Sequence, residues 1–506
     1  MLSPVIIQGG MGVAVSSWQL ARAVARTGQL GVVSGTALDA VFARRLQLGD
    51  PEGDLRRALD AFPFPVIAQR VRERYFIDGG KAPDAPFRAI TLPGAEQTRD
   101  YQELAVLANF VEVWLAKEGH GGAVGVNYLE KVQLPTLPSL YGALLAGVDY
   151  VLMGAGIPRA IPGALDRLAH GEPAKLPLDV ADRERDELFV TRFDPRAFVQ
   201  AEPPQLNRPQ FLAIVSSATL ADVLMKKSNG RVDGFVVEGP TAGGHNAPPR
   251  GKPVFNERGE PVYGPRDVVD LESLRRLGVP FWLAGGWGTP AALQQALDEG
   301  AAGVQVGTLF ALCDESGLRP ELRRQALDLV QSGEAQIYTD PLASPTGFPF
   351  KLLQLPGSLT DPDVYGERRR RCDLGYLRRA YRREDGMLGW RCAAEDVEGF
   401  VRKGGDADEC TGRQCLCNAL LSNVGLAQQR ADGSVEPPLV TCGDAVNAVK
   451  PLLVDGRTSY TAEDAIAYLL AGLESPDAAI GKSPTRRAAS AEAALEPAAK
   501  PAVASR

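Results

Sequence analysis

The 506-residue chain is predicted to be an α/β protein built on a TIM (β/α)8 barrel. Short, continuous apolar segments alternate with helical segments along it, as in a parallel sheet that is covered on both faces. Most of these segments run into small-residue or glycine-rich turns. Eight repeated units favour a closed barrel over an open doubly wound sheet. The apolar segments lie near residues 5, 30, 123, 150, 211, 232, 280 and 304.

The first unit illustrates the pattern. The apolar run 5–7 is followed by Gln8 to Gly12, and Ser16 or Ser17 is positioned to cap an alanine-rich helix over 18–26. Gly28 ends that helix, and a second buried strand follows over 30–33. The same reasoning predicts further helices at 55–62, 66–76, 101–117, 139–146, 163–170, 219–227, 271–277 and 290–299.

The chain divides into regions according to whether the alternation of apolar and helical segments continues. Residues 1–315 form the predicted barrel, interrupted by insertions near 38–120 and 171–209. Residues 316–475 do not continue the alternation and are expected to form a mostly helical C-terminal region that packs on the barrel. Residues 476–506 are rich in Ala, Pro and Ser, which cannot bury a core, so we expect this tail to be disordered.

Composition excludes several classes of protein. Hydrophobic residues make up 45% of the chain and charged residues 23%, which is typical of soluble globular proteins. The net charge of -7 argues against nucleic acid as a partner. No apolar run reaches the ~18 residues of a membrane span, and the N-terminus lacks the charged region of a signal peptide. We therefore expect a cytoplasmic protein that binds a small molecule; a homodimer is compatible with the sequence.

Two glycine loops follow the last two predicted strands. They are Ala284-Gly285-Gly286 and Val306-Gly307-Thr308. In a barrel the loops at these positions commonly hold a phosphate, because glycine lets backbone N–H groups approach it. The alternative is that they are only tight βα turns. No G-x-G-x-x-G follows the first strand with an acid downstream, which argues against a Rossmann dinucleotide site.

His245 is the candidate catalytic residue. It follows Gly243 and Gly244 in a loop after the sixth predicted strand, at the barrel end where such enzymes place their chemistry. A purely structural loop histidine is the alternative. The other two histidines, His120 and His170, lie at the ends of predicted helices, where a cation suits the helix dipole, and receive no catalytic role.

Taken together these motifs resemble the nitronate monooxygenase family, formerly called 2-nitropropane dioxygenases. The resemblance covers roughly residues 4–315, and the segment 340–351 beyond it looks like that of a longer branch of the family. Two departures, Thr241 where members often carry an acid and the stretch 246–249 after the histidine, leave the substrate open. The matching motifs are Ile6-Ile7-Gln8-Gly9-Gly10-Met11, Gly125-Val126-Asn127, Ala242-Gly243-Gly244-His245, Ala284-Gly285-Gly286 and Gly303-Val304-Gln305-Val306-Gly307-Thr308.

The resemblance implies a barrel that binds FMN non-covalently. The FMN phosphate would lie on the loops of Gly285, Gly286, Gly307 and Thr308, and the isoalloxazine along Gly9, Gly10 and Met11. Asn127 would contact the flavin. Gly243 and Gly244 would leave room for substrate beneath His245.

The activity that this resemblance implies is oxidation of alkyl nitronates, or similar carbanions, with O2. His245 would act either as a base or, when protonated, as a partner for the anionic substrate. Two alternatives stay open. One is a flavin-dependent enoyl-thioester reductase or NAD(P)H:quinone reductase on the same barrel, and the other is a non-catalytic flavin-binding assembly subunit.

Seven cysteines, an odd number, are spread along the chain. Cys410, Cys415 and Cys417 form a C-x4-C-x-C pattern, which is not a standard metal signature, and no histidine accompanies it. The sequence therefore predicts free buried thiols and no metal site.

Overall fold

The structure, a computed structural model, describes residues 3–473. The predicted tail over 476–506 lies outside the described residues. The strands are β1 Ile6–Gln8, β2 Gly31–Ser34, β3 Val124–Leu129, β4 Tyr150–Gly154, β5 Ala174–Pro177, β6 Val180–Ala181, β7 Val190–Phe193, β8 Gln210–Val215, β9 Gly234–Glu238, β10 Gly244–His245, β11 Phe281–Ala284, β12 Gly303–Val306, β13 Ile337–Asp340, β14 Phe350–Leu353, β15 Arg379–Arg382 and β16 Leu388–Arg391.

The α-helices are named in the same way. They are α1 Trp18–Arg26, α2 Leu38–Gln47, α3 Asp54–Asp60, α4 Pro65–Tyr75, α5 Arg99–Lys117, α6 Thr136–Leu145, α7 Ile161–Ala169, α8 Pro195–Val199, α9 Ala218–Lys227, α10 Leu271–Arg275, α11 Pro290–Asp298, α12 Thr308–Ala311, α13 Pro320–Ser332, α14 Pro362–Glu367, α15 Val397–Arg402, α16 Leu416–Asn423 and α17 Ala462–Leu470. Short 3-10 helices lie at Pro265–Asp267, Ala407–Cys410 and Asp444–Leu452.

Eight parallel strands form the barrel, in the order β1-β12-β11-β9-β8-β4-β3-β2. The ring is closed between β1 and β2, where Leu30 N donates to Ile6 O at 3.1 Å and Gln8 N donates to Leu30 O at 3.0 Å. The eight strands are those expected from the apolar segments, so the predicted TIM barrel is confirmed.

The barrel interior is filled by side chains, as the period of two along each strand requires. Trp282 is the largest of them, and its indole Nε1 donates to Pro4 O at 2.7 Å. Residues one position away point outward and pack under the surrounding helices. The interior cluster consists of Ile7, Leu30, Val32, Tyr150, Leu152, Leu212, Val236, Trp282 and Ala284.

The two predicted insertions differ in kind. Within 38–120, α5 packs between α1 and α6 and is therefore the second helix of the outer ring, whereas α2, α3 and α4 are the added elements. Within 171–209, β5 and β7 pair as a hairpin, and β6 pairs with β15 of the C-terminal region. The second insertion thus joins that region to the barrel.

The C-terminal region, residues 316–473, is less helical than the sequence suggests. It contains four short strands, two in the sheet β10-β14-β13 and two in the sheet β16-β15-β6. Each is only four residues long. Such short strands carry little periodic signal, and half of their pairing partners, β6 and β10, are distant in sequence. None of the helices among residues 3–473 is long and apolar enough to cross a membrane.

Candidate active site

A central cavity of about 230 Å³ opens at the C-terminal ends of the barrel strands. Loops from opposite sides of the barrel meet there, as expected for this architecture. All of the site residues expected from the sequence line this one cavity, and their roles remain predictions. They are Gly9, Gly10, Met11, Asn127, Gly243, Gly244, His245, Gly285, Gly286, Gly307 and Thr308.

The loop after β1 is fixed by two buried polar side chains. Ser16 Oγ donates to Gly9 O and accepts from Met11 N, both at 2.9 Å. Gln8 Nε2 also donates to Ser16 Oγ at 2.9 Å, while Gln8 Oε1 accepts from Val32 N at 3.0 Å. Neither Ser16 nor Ser17 caps α1 through its side chain, in contrast to the sequence expectation. The Ser16 hydroxyl instead holds the glycine loop in place.

Gly10 is required by its contact with β3. A Cβ at this position would stand 2.4 Å from Asn127 Cβ, closer than any side chain allows. Asn127 is buried at 8% exposure and lines the cavity beside this glycine. The loop and the asparagine therefore form one continuous wall.

The glycines after β11 have a backbone conformation that favours glycine. Gly285 and Gly286 have φ values of 86° and 81°. A Cβ on either would also come within 3.1–3.2 Å of Thr241 Oγ1. Thr241, which replaces the acid that the resemblance leads one to expect, thus packs against this turn. After β12, Gly307 has no such strain, and Thr308 Oγ1 accepts from Gly443 N at 3.0 Å.

The two glycines before His245 serve different purposes. A Cβ on Gly243 would stand 2.9 Å from the backbone of both Cys442 and Gly443, so this glycine lets the C-terminal region pack against the loop. Gly244 has a φ of 79°, and a Cβ added there would meet nothing within 4 Å. Only Gly244 leaves open space.

His245 is held by a loop of the C-terminal region. Its Nε2 lies 2.7 Å from Ser344 Oγ, which in turn lies 2.7 Å from Thr346 Oγ1. The Phe350 ring contacts the imidazole edge-to-face at 4.6 Å between centroids, and its backbone pairs with that of His245. Burial lowers the pKa of His245 to about 4, so the imidazole is neutral near pH 7. A neutral imidazole can accept a proton.

Glu238 is a site residue that the sequence reasoning missed. It is the last residue of β9 and lines both the central cavity and a smaller cavity, which Pro240 and Arg250 also line. Among residues 3–473 its carboxyl group has no ion pair or hydrogen bond, and burial raises its pKa to about 7. The available signal was an acid directly after the apolar run Phe235 to Val237 at a barrel strand end.

The cavity is covered by side chains of the C-terminal region, which the sequence did not predict to contribute. We call these five residues the cover: Tyr376, Leu377, Leu416, Cys417 and Leu420. The Tyr376 hydroxyl donates to Asp39 Oδ1 on α2 at 2.5 Å, which joins the cover to the first insertion. The cover makes one wall of the cavity largely apolar.

The other two histidines lie outside the central cavity. His120 Nε2 lies 2.7 Å from Ala116 O, and His170 Nδ1 lies 2.7 Å from Asp166 O. Each imidazole therefore bonds the backbone at the end of its own helix.

The chain is similar to known proteins over part of its length. A family model described as nitronate monooxygenase matches residues 179–340, which include β9, β11, β12 and His245. The nitronate monooxygenase of Pseudomonas aeruginosa is 31% identical over 174 residues, covering 32% of this chain and 46% of the relative. A probable nitronate monooxygenase of Bacillus subtilis is 31% identical over 115 residues, covering 23% of this chain and 31% of the relative. The chain thus matches less than half the length of these relatives.

The chain is also remotely similar to solved structures over most of its length. FabK from Thermotoga maritima superposes with a TM-score of 0.46 at 15% identity, with 93% of each chain covered. A nitroalkane oxidase from Streptomyces ansochromogenes gives a TM-score of 0.41 at 16% identity, with 93% of this chain and 97% of that chain covered.

Proposed function

Because the chain belongs to the nitronate monooxygenase family, we propose that it is an FMN-dependent oxidoreductase that oxidises alkyl nitronates, or similar carbanions, with O2. The observation that carries this proposal is the single cavity where the neutral His245 meets the glycine loops of β1, β11 and β12. Oxidoreductase activity follows from the family. The flavin type and the substrate are the parts that require experiment.

The residues present fit a flavin mononucleotide. Gly286 and Gly307 expose backbone to the cavity, so their N–H groups are available to a phosphate or a flavin ring. Gln305 also lines the cavity, and its Oε1 is buried with no hydrogen-bond partner among the described residues. A buried acceptor without a partner can accept a hydrogen bond from an N–H group of a ligand.

The phosphate would be held without a cation from the cavity wall. None of the described residues that line the cavity is a lysine or an arginine. Backbone N–H groups at Gly286 and Gly307 would therefore carry this contact, with the Thr308 hydroxyl beside them. Bound FMN would supply the electron transfer, while the protein supplies binding and orientation.

For a substrate that arrives as the neutral nitroalkane, His245 is proposed to accept the proton from the carbon next to the nitro group, which gives the nitronate that the flavin then oxidises. The pKa of about 4 leaves the imidazole unprotonated over the working pH range, which favours the base over the alternative of a cationic anion partner. Ser344 and Phe350 orient the ring, and Gly244 leaves space beside it. The apolar cover would limit water at the reacting carbon.

A reductase acting on a longer substrate is the second candidate. A side cavity of about 540 Å³ adjoins the central cavity, and Tyr376 and Leu377 line both. Room of this size beside the site favours a substrate larger than a small nitroalkane. An enoyl thioester, with NADPH as the electron donor, is a substrate long enough to occupy this side cavity.

Anaerobic mixing of the purified protein with its bound flavin tests both candidates. Flavin bleaching by an alkyl nitronate, but not by NADPH alone, is the expected result. Rapid bleaching by NADPH without nitronate would favour the reductase. A flavin that neither donor reduces would support the non-catalytic alternative and contradict the proposal.

A further inference from the structure

Four cysteines surround one small cavity behind the cover, which we call the thiol cavity. Cys392 follows β16, Cys415 is the N-cap of α16, and Cys417 lies in the first turn of that helix. Cys372 comes from the loop after α14. The cysteines that the sequence pattern combined are separated, because Cys410 does not line this cavity.

A backbone N–H group favours the thiolate of each of the four cysteines. Two of the donor residues lie three positions after their cysteine, one lies two positions after it, and one belongs to a different segment of the chain. The Asn418 side chain adds a further contact, with Nδ2 donating to Cys415 Sγ at 3.4 Å. N–H groups directed at sulfur stabilise thiolates and tune metal-bound sulfur. The donor and sulfur pairs are Gly375 with Cys372, Ala394 with Cys392, Asn418 with Cys415 and Leu377 with Cys417.

Positive charge faces the same thiols. Arg378 lines the thiol cavity beside Cys372. Arg368 lies near Cys415 but is paired with Glu436. Arg378 therefore places positive charge beside four cysteines that line one cavity. A bound metal deprotonates the thiols that coordinate it, and a cation beside the site offsets the negative charge that results.

We propose that Cys372, Cys392, Cys415 and Cys417 bind an iron–sulfur cluster of the [4Fe–4S] type. Among residues 3–473, no group of three or more Cys, His, Asp or Glu side chains is arranged to hold a single metal ion. A zinc site requires its ligands to converge on one ion. In a [4Fe–4S] cluster each of the four thiolates binds a different iron, so the sulfurs surround the group. The proposal replaces the expectation of free thiols.

The thiol cavity is separated from the central cavity only by side chains of the cover. Leu377, Leu416 and Cys417 line both cavities. Apart from these three residues, the lining of the thiol cavity comes from residues that the proposed flavin site does not use. The cluster assignment can therefore be tested independently of the proposed function.

Metal analysis of the full chain tests the assignment. The protein is purified without oxygen, then incubated with Fe³⁺, a thiol reductant and sulfide, and desalted. We expect about four irons and four acid-labile sulfides per chain, together with an electron paramagnetic resonance signal after dithionite reduction that no flavin radical explains. Fewer than about one iron per chain would overturn the proposal, as would stoichiometric zinc in place of iron.

Single substitutions locate the cluster. Cys372→Ser and Cys415→Ser should each lose most of the iron and sulfide, and Cys410→Ser is the matched control, since it is a buried cysteine outside the thiol cavity. Retention of the full iron content in both cavity variants would refute the ligand assignment. If a cavity variant does not fold, the iron and sulfide content of the unmodified chain still decides the question.

Discussion

Glu238→Gln should stabilise the ligand-free protein more at alkaline than at acidic pH. The carboxyl group of Glu238 is half-buried at the end of β9, and burial raises its pKa from 4.5 to about 7. Between these values the unfolded chain has released this proton while the folded protein retains it. Stability therefore falls as pH rises through this window, and the loss is complete above pH 7. Glutamine removes the titration and keeps the shape of the side chain.

The size of the effect follows from the pKa change. One pKa unit corresponds to about 1.4 kcal/mol. The charge of Glu238 then costs roughly 1 kcal/mol at about pH 5 and roughly 3 kcal/mol at about pH 8. The advantage of Glu238→Gln should grow by about 2 kcal/mol over this interval. Other titrating groups, His245 included, are common to both proteins and cancel in the comparison.

Urea unfolding of both proteins at the two pH values measures this change. The free-energy difference between variant and parent should be small at the lower pH and favour the variant at the higher pH. Glu257→Gln is the matched control, because Glu257 is exposed and has no ion pair among the described residues. Equal differences at both pH values would show that the Glu238 carboxyl is solvated, and the electrostatic account of the cavity would be wrong.

Three further substitutions address the site directly. His245→Ala should retain FMN but slow flavin reduction by a neutral nitroalkane ~10²–10⁴-fold, the usual scale for a lost general base. With the parent protein and this substrate, the rate of flavin reduction should stay constant as pH falls and decline only near a pH of about 4. Gly307→Glu should abolish flavin retention, measured by absorbance, because it adds a carboxylate where the phosphate is expected. Gly243→Ala should lower the free energy of unfolding by about 1–3 kcal/mol, since its Cβ would meet the Cys442 backbone at 2.9 Å.

Matched controls exist for each of these variants. His120→Ala and His170→Ala should reduce flavin at the normal rate, and a normal rate for the His245 variant would make that residue structural. Gly366→Glu should keep its flavin, because Gly366 lies in α14 with open space around it. Gly264→Ala adds a Cβ that meets nothing within 4 Å and should leave stability unchanged. Equal behaviour of a variant and its control would contradict the corresponding contact.

The barrel could be predicted from sequence because its strands are continuous apolar runs that end in small residues. The helix bounds of α1 agree with the expectation residue for residue, since Trp18 to Arg26 carries a clear apolar face. The ring position of α5 could not be predicted, because it depends on packing between α1 and α6. The strands of the C-terminal region were missed for a related reason: β14 pairs with β10, more than a hundred residues away.

The site was predictable only where its residues share a short motif. His245 and its two glycines stand together in the sequence, so they could be recognised. Ser344, which contacts the imidazole, is 99 residues distant and carries no local signal. Cys372 and Cys392 likewise approach Cys415 only through the folding of the C-terminal region, and a spacing rule selects Cys410 instead.

The barrel and the C-terminal region build the site together, because several of the contacts around the cavity cross between them. Thr308 accepts a hydrogen bond from Gly443, and Gly243 admits the Cys442 backbone. His245 is paired with Phe350 across β10 and β14 and lies against Ser344. The low pKa of His245 arises from burial, and Ser344 and Phe350 of this region lie against its ring. A barrel without the region would expose the imidazole, return its pKa toward 6.5 and lose the apolar cover, so the proposed base and its water-poor environment depend on the same set of contacts.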